Sequence, residues 1–143
     1  MSQKLKESGV NKTSAVDVSK LDERMRWALH AAAEKKAIDL TVLDLRGVAT
    51  FTDFFLITTG TNKRQVQAIS DEVVEQLKRR GTRAARVEGY QTAEWILIDY
   101  GDFVFHVFDE KARRFFDLER LWRAAQRADV TADQLQSSSL KEE

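Results

Sequence analysis

Residues 88–108 read EGYQTAEWILIDYGDFVFHVF, and the pairing of their two apolar runs decides the fold. The runs flank a Tyr100-Gly101-Asp102 corner, where glycine and aspartate suit a tight turn. With Gly101 and Asp102 at the turn, Tyr100 faces Phe103, Asp99 faces Val104, Leu97 faces His106 and Trp95 faces Phe108. A four-residue loop over 100–103 returns the same pairs. Side chains alternate between the two faces of a strand. One face of the hairpin therefore carries Trp95, Asp99 and His106 with Leu97, Val104 and Phe108. The other carries Ile96, Ile98, Tyr100, Phe103, Phe105 and Val107, which is core chemistry almost throughout. One face builds the protein, and the other is left for a second task.

Outward from the hairpin, the chain alternates helical and strand patterns. Ser19 with Asp22 resembles a helix-capping pair, and Leu21, Met25, Leu29 and Ala32 form the apolar stripe of the helix that follows. Strands are expected over 41–45, 54–58 and 83–87, with a turn over 50–53. A helix opens after Gly60, capped by Asn62 or Thr61 with Gln65 in the third position. Val66, Ile69, Val73 and Leu77 are its buried stripe, and Gly81 supplies the positive φ that ends it. A helical turn over 109–115 and a short last helix capped by Asp117 complete the order αββαβββα. That order predicts a single α/β domain, a mixed β-sheet flanked by helices, because a strand–helix–strand unit favours a parallel pair. The domain is expected over 19–126, between a flexible arm at 1–18 and a flexible tail at 127–143, both polar and without periodicity.

Composition removes whole classes of function. There is no cysteine, so disulfides and thiol catalysis are out. Only His30 and His106 offer imidazole, far apart in sequence, which speaks against a structural zinc site. Lys plus Arg and Asp plus Glu both number 23, so no global field draws the chain to nucleic acid. No apolar run reaches the length that spans a bilayer, and the N-terminal segment has no apolar h-region. The cytoplasm is the expected compartment.

Three features invite a chemical reading. The Gly60-Thr61-Asn62 turn, with Lys63 and Arg64 behind it, resembles an anion site at a helix start. It lacks the glycine-rich loop and following Lys-Ser or Lys-Thr of a phosphate cradle, and an ordinary capped turn explains it equally well. Asp99 and His106 lie a diagonal step apart on one face, but no nucleophile or oxyanion donor accompanies them at a recognisable spacing. They read as a polar pair at the edge of a binding surface. Arg79, Arg80, Arg83 and Arg86 with Lys78 form one local basic patch, a solvated face first and an RNA-phosphate contact second. No catalytic, cofactor or metal residues are assigned. A tryptophan sharing a sheet face with an aspartate and a histidine points instead to a protein-binding surface, with Trp95 as its aromatic anchor.

The same residues carry a family resemblance. Asp53-Phe54-Phe55, Gly60-Thr61, Arg64-Gln65, Ala68-Ile69, Glu88-Gly89, Trp95, Asp99, Gly101-Asp102, Val104, His106-Val107-Phe108 and RRFFDLERLW over 113–122 together closely resemble the ribosomal silencing factors, the Iojap family. The resemblance covers roughly residues 22–125. Asn62 stands where that family often has serine and Phe116 where it often has tyrosine, and both keep the local physics. The resemblance implies a nucleotidyltransferase-like fold without catalysis, since the strand after the Gly60 turn offers no paired aspartates to hold metals. It also implies binding to the large ribosomal subunit at ribosomal protein uL-fourteen, which would exclude the small subunit and lower translation when nutrients run short; the alternatives are a large-subunit assembly factor or a nucleotide-binding enzyme using the Gly60 turn. On the silencing reading Trp95 anchors the contact, Asp99, Tyr100, Asp102 and His106 are polar or rim contacts, and Arg64 is a charged neighbour. Tyr100 falls on the core face by alternation, so its contact depends on an exposed hydroxyl at the strand end. The free protein is expected as a monomer or a homodimer.

Overall fold

A computed structural model of the chain describes residues 16–136. The elements are α1 (Glu23–Glu34), β1 (Ile38–Asp44), β2 (Phe54–Gly60), α2 (Lys63–Arg79), β3 (Arg86–Glu88), β4 (Trp95–Asp99), β5 (Phe103–Asp109), α3 (Glu110–Phe116), α4 (Leu118–Leu121), β6 (Gln126–Asp129) and α5 (Ala132–Gln136). The six strands form one sheet in the order β3-β4-β5-β2-β1-β6. Only β2 and β5 run parallel, with Phe54 opposite Phe103 and Ile57 opposite His106. The β4–β5 hairpin has the register expected from its sequence, Trp95 opposite Phe108, Leu97 opposite His106 and Asp99 opposite Val104. The mixed sheet with helices on both faces is the expected α/β class, and it is compatible with a nucleotidyltransferase-like layout. The parallel partner of β2 is not the strand directly after α2. The crossover delivers the chain to β3 at the far edge, and β3 and β4 then lead back to β5 by antiparallel steps.

The two faces of the sheet have different covers. α1 and α2 close one face over Leu56, Ile96, Ile98, Phe103, Phe105 and Val107, with Leu29, Val66, Ile69, Val73 and Leu77 as their own buried side chains. The opposite face holds a second cluster of Leu43, Leu45, Phe55, Ile57, Val104 and Phe108, roofed in part by Ala112 and Leu118 of α3 and α4. That roof is incomplete, with Trp95, Leu97 and Trp122 only partly buried against the cluster.

Several boundaries differ from expectation. Asp22, not Ser19, caps α1, its Oδ1 accepting the Arg24 N–H at 2.8 Å. Ser19 belongs to a preceding 3-10 turn, Val18–Lys20, which Asp17 caps. β3 is shorter than expected and begins at Arg86, while β1 begins earlier, at Ile38. β1 also carries an irregularity between Ile38 and Thr41, where Asp39 adopts a φ of 53°. The expected flexible tail from residue 127 gives way to β6, which pairs with β1 from Thr41 opposite Asp129 to Asp44 opposite Gln126. Val130 and Leu135 beyond it are buried. Gln-Arg-Ala-Asp presents a single small apolar side chain to the core, so its two-residue period is invisible in composition. At the other end Val18 is 4% exposed and packs in the core, although it falls inside the expected arm. Residues 1–15 and 137–143, the rest of the expected arm and tail, lie outside the described residues.

Candidate protein-binding face

Trp95 opens β4, and Gly89 explains how the chain reaches it. Gly89 has a φ of +84°, and a Cβ there would stand 2.1 Å from the Trp95 carbonyl oxygen. Only glycine lets the loop after β3 close this tightly against the strand. Trp95 is half-buried, and its indole lies 5.0 Å from the Phe108 ring and 4.6 Å from the Phe116 ring, centroid to centroid. Its Nε1–H donates to His106 Nδ1 at 3.0 Å.

His106 corrects the expectation of a rim contact. It is 2% exposed, because the Trp95 and Phe55 side chains close over the middle of the sheet. Desolvation pushes its pKa down to about 3, so the ring is neutral at ordinary pH. With Nδ1 accepting from the indole, the ring proton sits on Nε2, which is buried and has no hydrogen-bond partner. The Phe55 ring stands 4.3 Å away at an interplanar angle of 75°.

The other expected contacts scatter. Asp99 shares the Trp95 face by alternation, but its carboxylate takes the Arg86 Nε–H at 3.2 Å and the Gly101 N–H at 2.8 Å. It therefore shapes the hairpin turn as well as edging the face. Tyr100 lies on the helix-covered side, 9% exposed and stacked on Phe103 at 4.8 Å. Its hydroxyl is buried without a partner and burial pushes its pKa up to about 12, so the exposed hydroxyl expected at the strand end is absent. Asp102 is exposed but pairs with Arg24 of α1, on the side away from Trp95. Arg64 is exposed on the first turn of α2, which also packs on the opposite face. The basic patch divides as well. Arg80 lies over the Trp27 ring at 4.6 Å, and Arg86 is tied to Glu88 and Asp99, while Lys78, Arg79 and Arg83 are exposed.

Exposed apolar side chains stand nearby, Phe116 directly against the Trp95 ring and Phe115 against Phe116. Phe115 is 78%, Leu121 70%, Phe51 60% and Phe116 43% exposed, an unusual cost for large hydrophobic side chains. Phe115 meets Phe116 at 5.0 Å, and Phe51 meets Trp122 at 5.8 Å. Sequence reasoning did not assign these residues to the site. The available signal was RRFFDLERLW, which holds more bulky apolar groups than two short helices can turn inward.

The Gly60 turn is occupied by the protein itself. A Cβ at Gly60 would stand 2.9 Å from Val66 Cγ2 and 3.1 Å from Val66 N, so glycine is needed for the strand to meet its helix. Asn62 Oδ1 accepts the Gln65 N–H at 2.8 Å, and Gln65 Oε1 accepts the Thr61 N–H at 2.6 Å. The Gln65 amide then donates to the Lys35 and Lys36 carbonyls, both at 3.0 Å, tying α2 to the end of α1. Two of the turn's backbone donors, Thr61 N–H and Gln65 N–H, are thus already satisfied by side chains of the same turn. Among the described residues no three His, Cys, Asp or Glu side chains gather as a metal-ligand set, and no helix is long and apolar enough to cross a membrane.

The model of the family described as "Ribosomal silencing factor during starvation" matches residues 18–143. The chain belongs to the ribosomal silencing factor family. A ribosomal silencing factor of Halalkalibacterium halodurans is 41% identical over 100 residues, covering 70% of this chain and 86% of that one. A solved structure of a Chromobacterium violaceum protein superposes with a TM-score of 0.69 at 31% identity, covering 80% of this chain and 97% of that one. A mouse protein named for mitochondrial assembly of the ribosomal large subunit is 29% identical over 92 residues, which are 62% of this chain and 40% of that one. The family match begins at Val18, where the core begins, and it includes β6 and α5.

Proposed function

We propose that this protein docks its Trp95 face on the large ribosomal subunit, at ribosomal protein uL-fourteen, and thereby blocks joining of the small subunit. The observation that carries the reading is the half-buried Trp95 with the exposed Phe116 and Phe115 and, next to them, Leu121, in a chain of the ribosomal silencing family. Aromatic anchors in a partly desolvated patch are where interfaces concentrate their binding energy. Asp99 is the polar rim of this face. Silencing needs occupancy and no turnover: a factor on the joining surface competes with the small subunit in proportion to its concentration over Kd. The family description ties the effect to starvation, and the name of the mouse relative supports a large-subunit partner. Lys78, Arg79 and Arg83 offer a secondary, salt-dependent contact to ribosomal RNA phosphates. The proposed setting is the cytoplasm.

Sedimentation of separated subunits with and without the protein tests this. Co-migration with the large subunit and loss of joined particles is the expected result. Protein left at the top of the gradient while joining proceeds would overturn it.

A further inference from the structure

Trp95 directs its only hydrogen-bond donor inward. Indole offers a single donor, Nε1–H, and here it donates to His106 Nδ1 at 3.0 Å. His106 has little freedom to move. It sits at the middle of β5, between Ile57 of β2 and Leu97 of β4, and is 2% exposed. Phe55 stands against its ring at 4.3 Å, and Phe108 lies near-parallel to it at 6.2 Å. A central strand paired on both sides is a rigid mount for such an acceptor.

The choice of histidine here is costly on packing grounds alone. Its Nε2 is buried without a partner, which is unfavourable, and leucine or phenylalanine would remove that orphan at the expense of the acceptor that the Trp95 indole N–H uses. The one hydrogen bond His106 makes with its side chain is the one to the indole. That bond fixes the indole at the edge of the exposed strip, its far side packed on Phe116 and Phe108.

We propose that His106 is a positioning residue for docking, holding the Trp95 indole so that it meets its partner as a hydrocarbon plate with no free donor. The partner surface that fits at that point is aliphatic or aromatic, not a carbonyl or carboxylate seeking an indole N–H. This inference rests on the Trp95 docking reading above.

The test uses the full chain, labelled with nitrogen-15, and purified large subunits. Trp27, Trp95 and Trp122 give three indole N–H resonances, and Trp95→Phe assigns one of them. In the wild type the Trp95 indole proton is expected to exchange with solvent at least tenfold more slowly than in His106→Leu. His106→Asn, whose side-chain oxygen can take the place of Nδ1, restores the slow exchange. His106→Leu weakens large-subunit binding about tenfold, His106→Asn stays within about threefold of wild type, and in a Trp95→Phe background His106→Leu has no further effect. That last comparison separates positioning from general damage, which would lower affinity in either background. Binding and exchange unmoved in His106→Leu, or an equal loss in the Trp95→Phe background, would overturn the positioning role while leaving the docking reading intact. Should His106→Leu misfold, fast exchange of the Trp95 indole in the wild type overturns the role by itself. Wild-type protein that does not bind large subunits overturns the docking reading, and the positioning role with it.

Discussion

Arg113 and Glu119 form an ion pair in which Arg113 Nη2 stands 2.6 Å from Glu119 Oε2, with each side chain only 12% exposed. The same guanidinium donates to Thr59 Oγ1 at 2.8 Å and to Thr41 Oγ1 at 3.2 Å. One side chain thus joins α3 and α4 to β1 and β2. The exposed Phe115, Phe116 and Leu121 belong to the segment that this pair clamps to the sheet, so a polar lock holds the apolar strip in place.

Breaking that lock on one side should be expensive. Arg113→Met leaves the Glu119 carboxylate nearly buried without its partner, at a cost of about 3 kcal/mol. Replacing both, as Arg113→Met with Glu119→Leu, should recover much of the loss. Urea unfolding measures both, and a single-variant loss below ~0.5 kcal/mol would show that water replaces the pair without strain.

Gly60→Ala tests whether that glycine serves packing or a ligand. The new methyl meets Val66 Cγ2 and backbone, which predicts a destabilisation of about 2 kcal/mol. Combined with Val66→Ala, the two losses should add to less than their sum, because the clash disappears with the valine methyls. Strict additivity would detach Gly60 from Val66. A nucleoside triphosphate with magnesium should leave the melting temperature where it was, and a concentration-dependent rise would reopen the turn as a binding site.

His106 gives stability a pH dependence of its own. Its folded-state pKa of about 3 lies below the ordinary 6.5, so below pH 6.5 the unfolded chain takes up a proton that the folded chain refuses. The contribution of the neutral ring is whole above pH 6.5 and is lost as pH falls toward 3, by ~1.4 kcal/mol per pH unit inside that window. Asp22 and Asp44, whose hydrogen bonds to Arg24 and Arg46 hold them below the usual carboxylate range, lose their contribution only below about 3.8. Urea midpoints between pH 6 and 4.5 should therefore fall more steeply for the wild type than for His106→Asn. Parallel curves would mean that the histidine is hydrated after all.

Large-subunit affinity should follow the apolar strip. Trp95→Ala is expected to weaken binding by at least ~2 kcal/mol, and Phe115→Ala by about 1 kcal/mol with little change in folding stability, since Phe115 is 78% exposed. Arg79→Ala with Arg83→Ala should lower affinity only modestly and flatten its salt dependence. A strip variant that folds and binds like the wild type would move the docking surface elsewhere.

The hairpin was legible because alternation and a Gly-Asp turn leave one register, and every predicted pair from Trp95 opposite Phe108 to Asp99 opposite Val104 is present. The α2 cap was legible for the same local reason, and Gly81 does take a positive φ of 94° at its end. What sequence could not supply was cover. Nothing local distinguishes the face of His106 from that of an exposed rim residue, since burial there comes from Trp95 and from Phe55 on another strand. Asp102 likewise looked like a neighbour of Asp99 until α1 brought Arg24 to it. β6 escaped because pairing with β1 ordered a polar segment that has no strand pattern of its own.

By its sequence separation, the parallel β2–β5 pair is expected to form later than the β4–β5 hairpin. The β4–β5 hairpin joins residues close in sequence, a microsecond event in a free chain. Phe54 meets Phe103 only after α2, β3 and β4 have been made and folded back, so the central contact has a long loop to close. The hairpin that carries Trp95 is thus local in sequence, while the seam between Phe55 and His106 joins segments far apart in the chain. The indole therefore takes its acceptor from its own hairpin, while the ring that holds that acceptor in place, Phe55, comes from a strand distant in sequence.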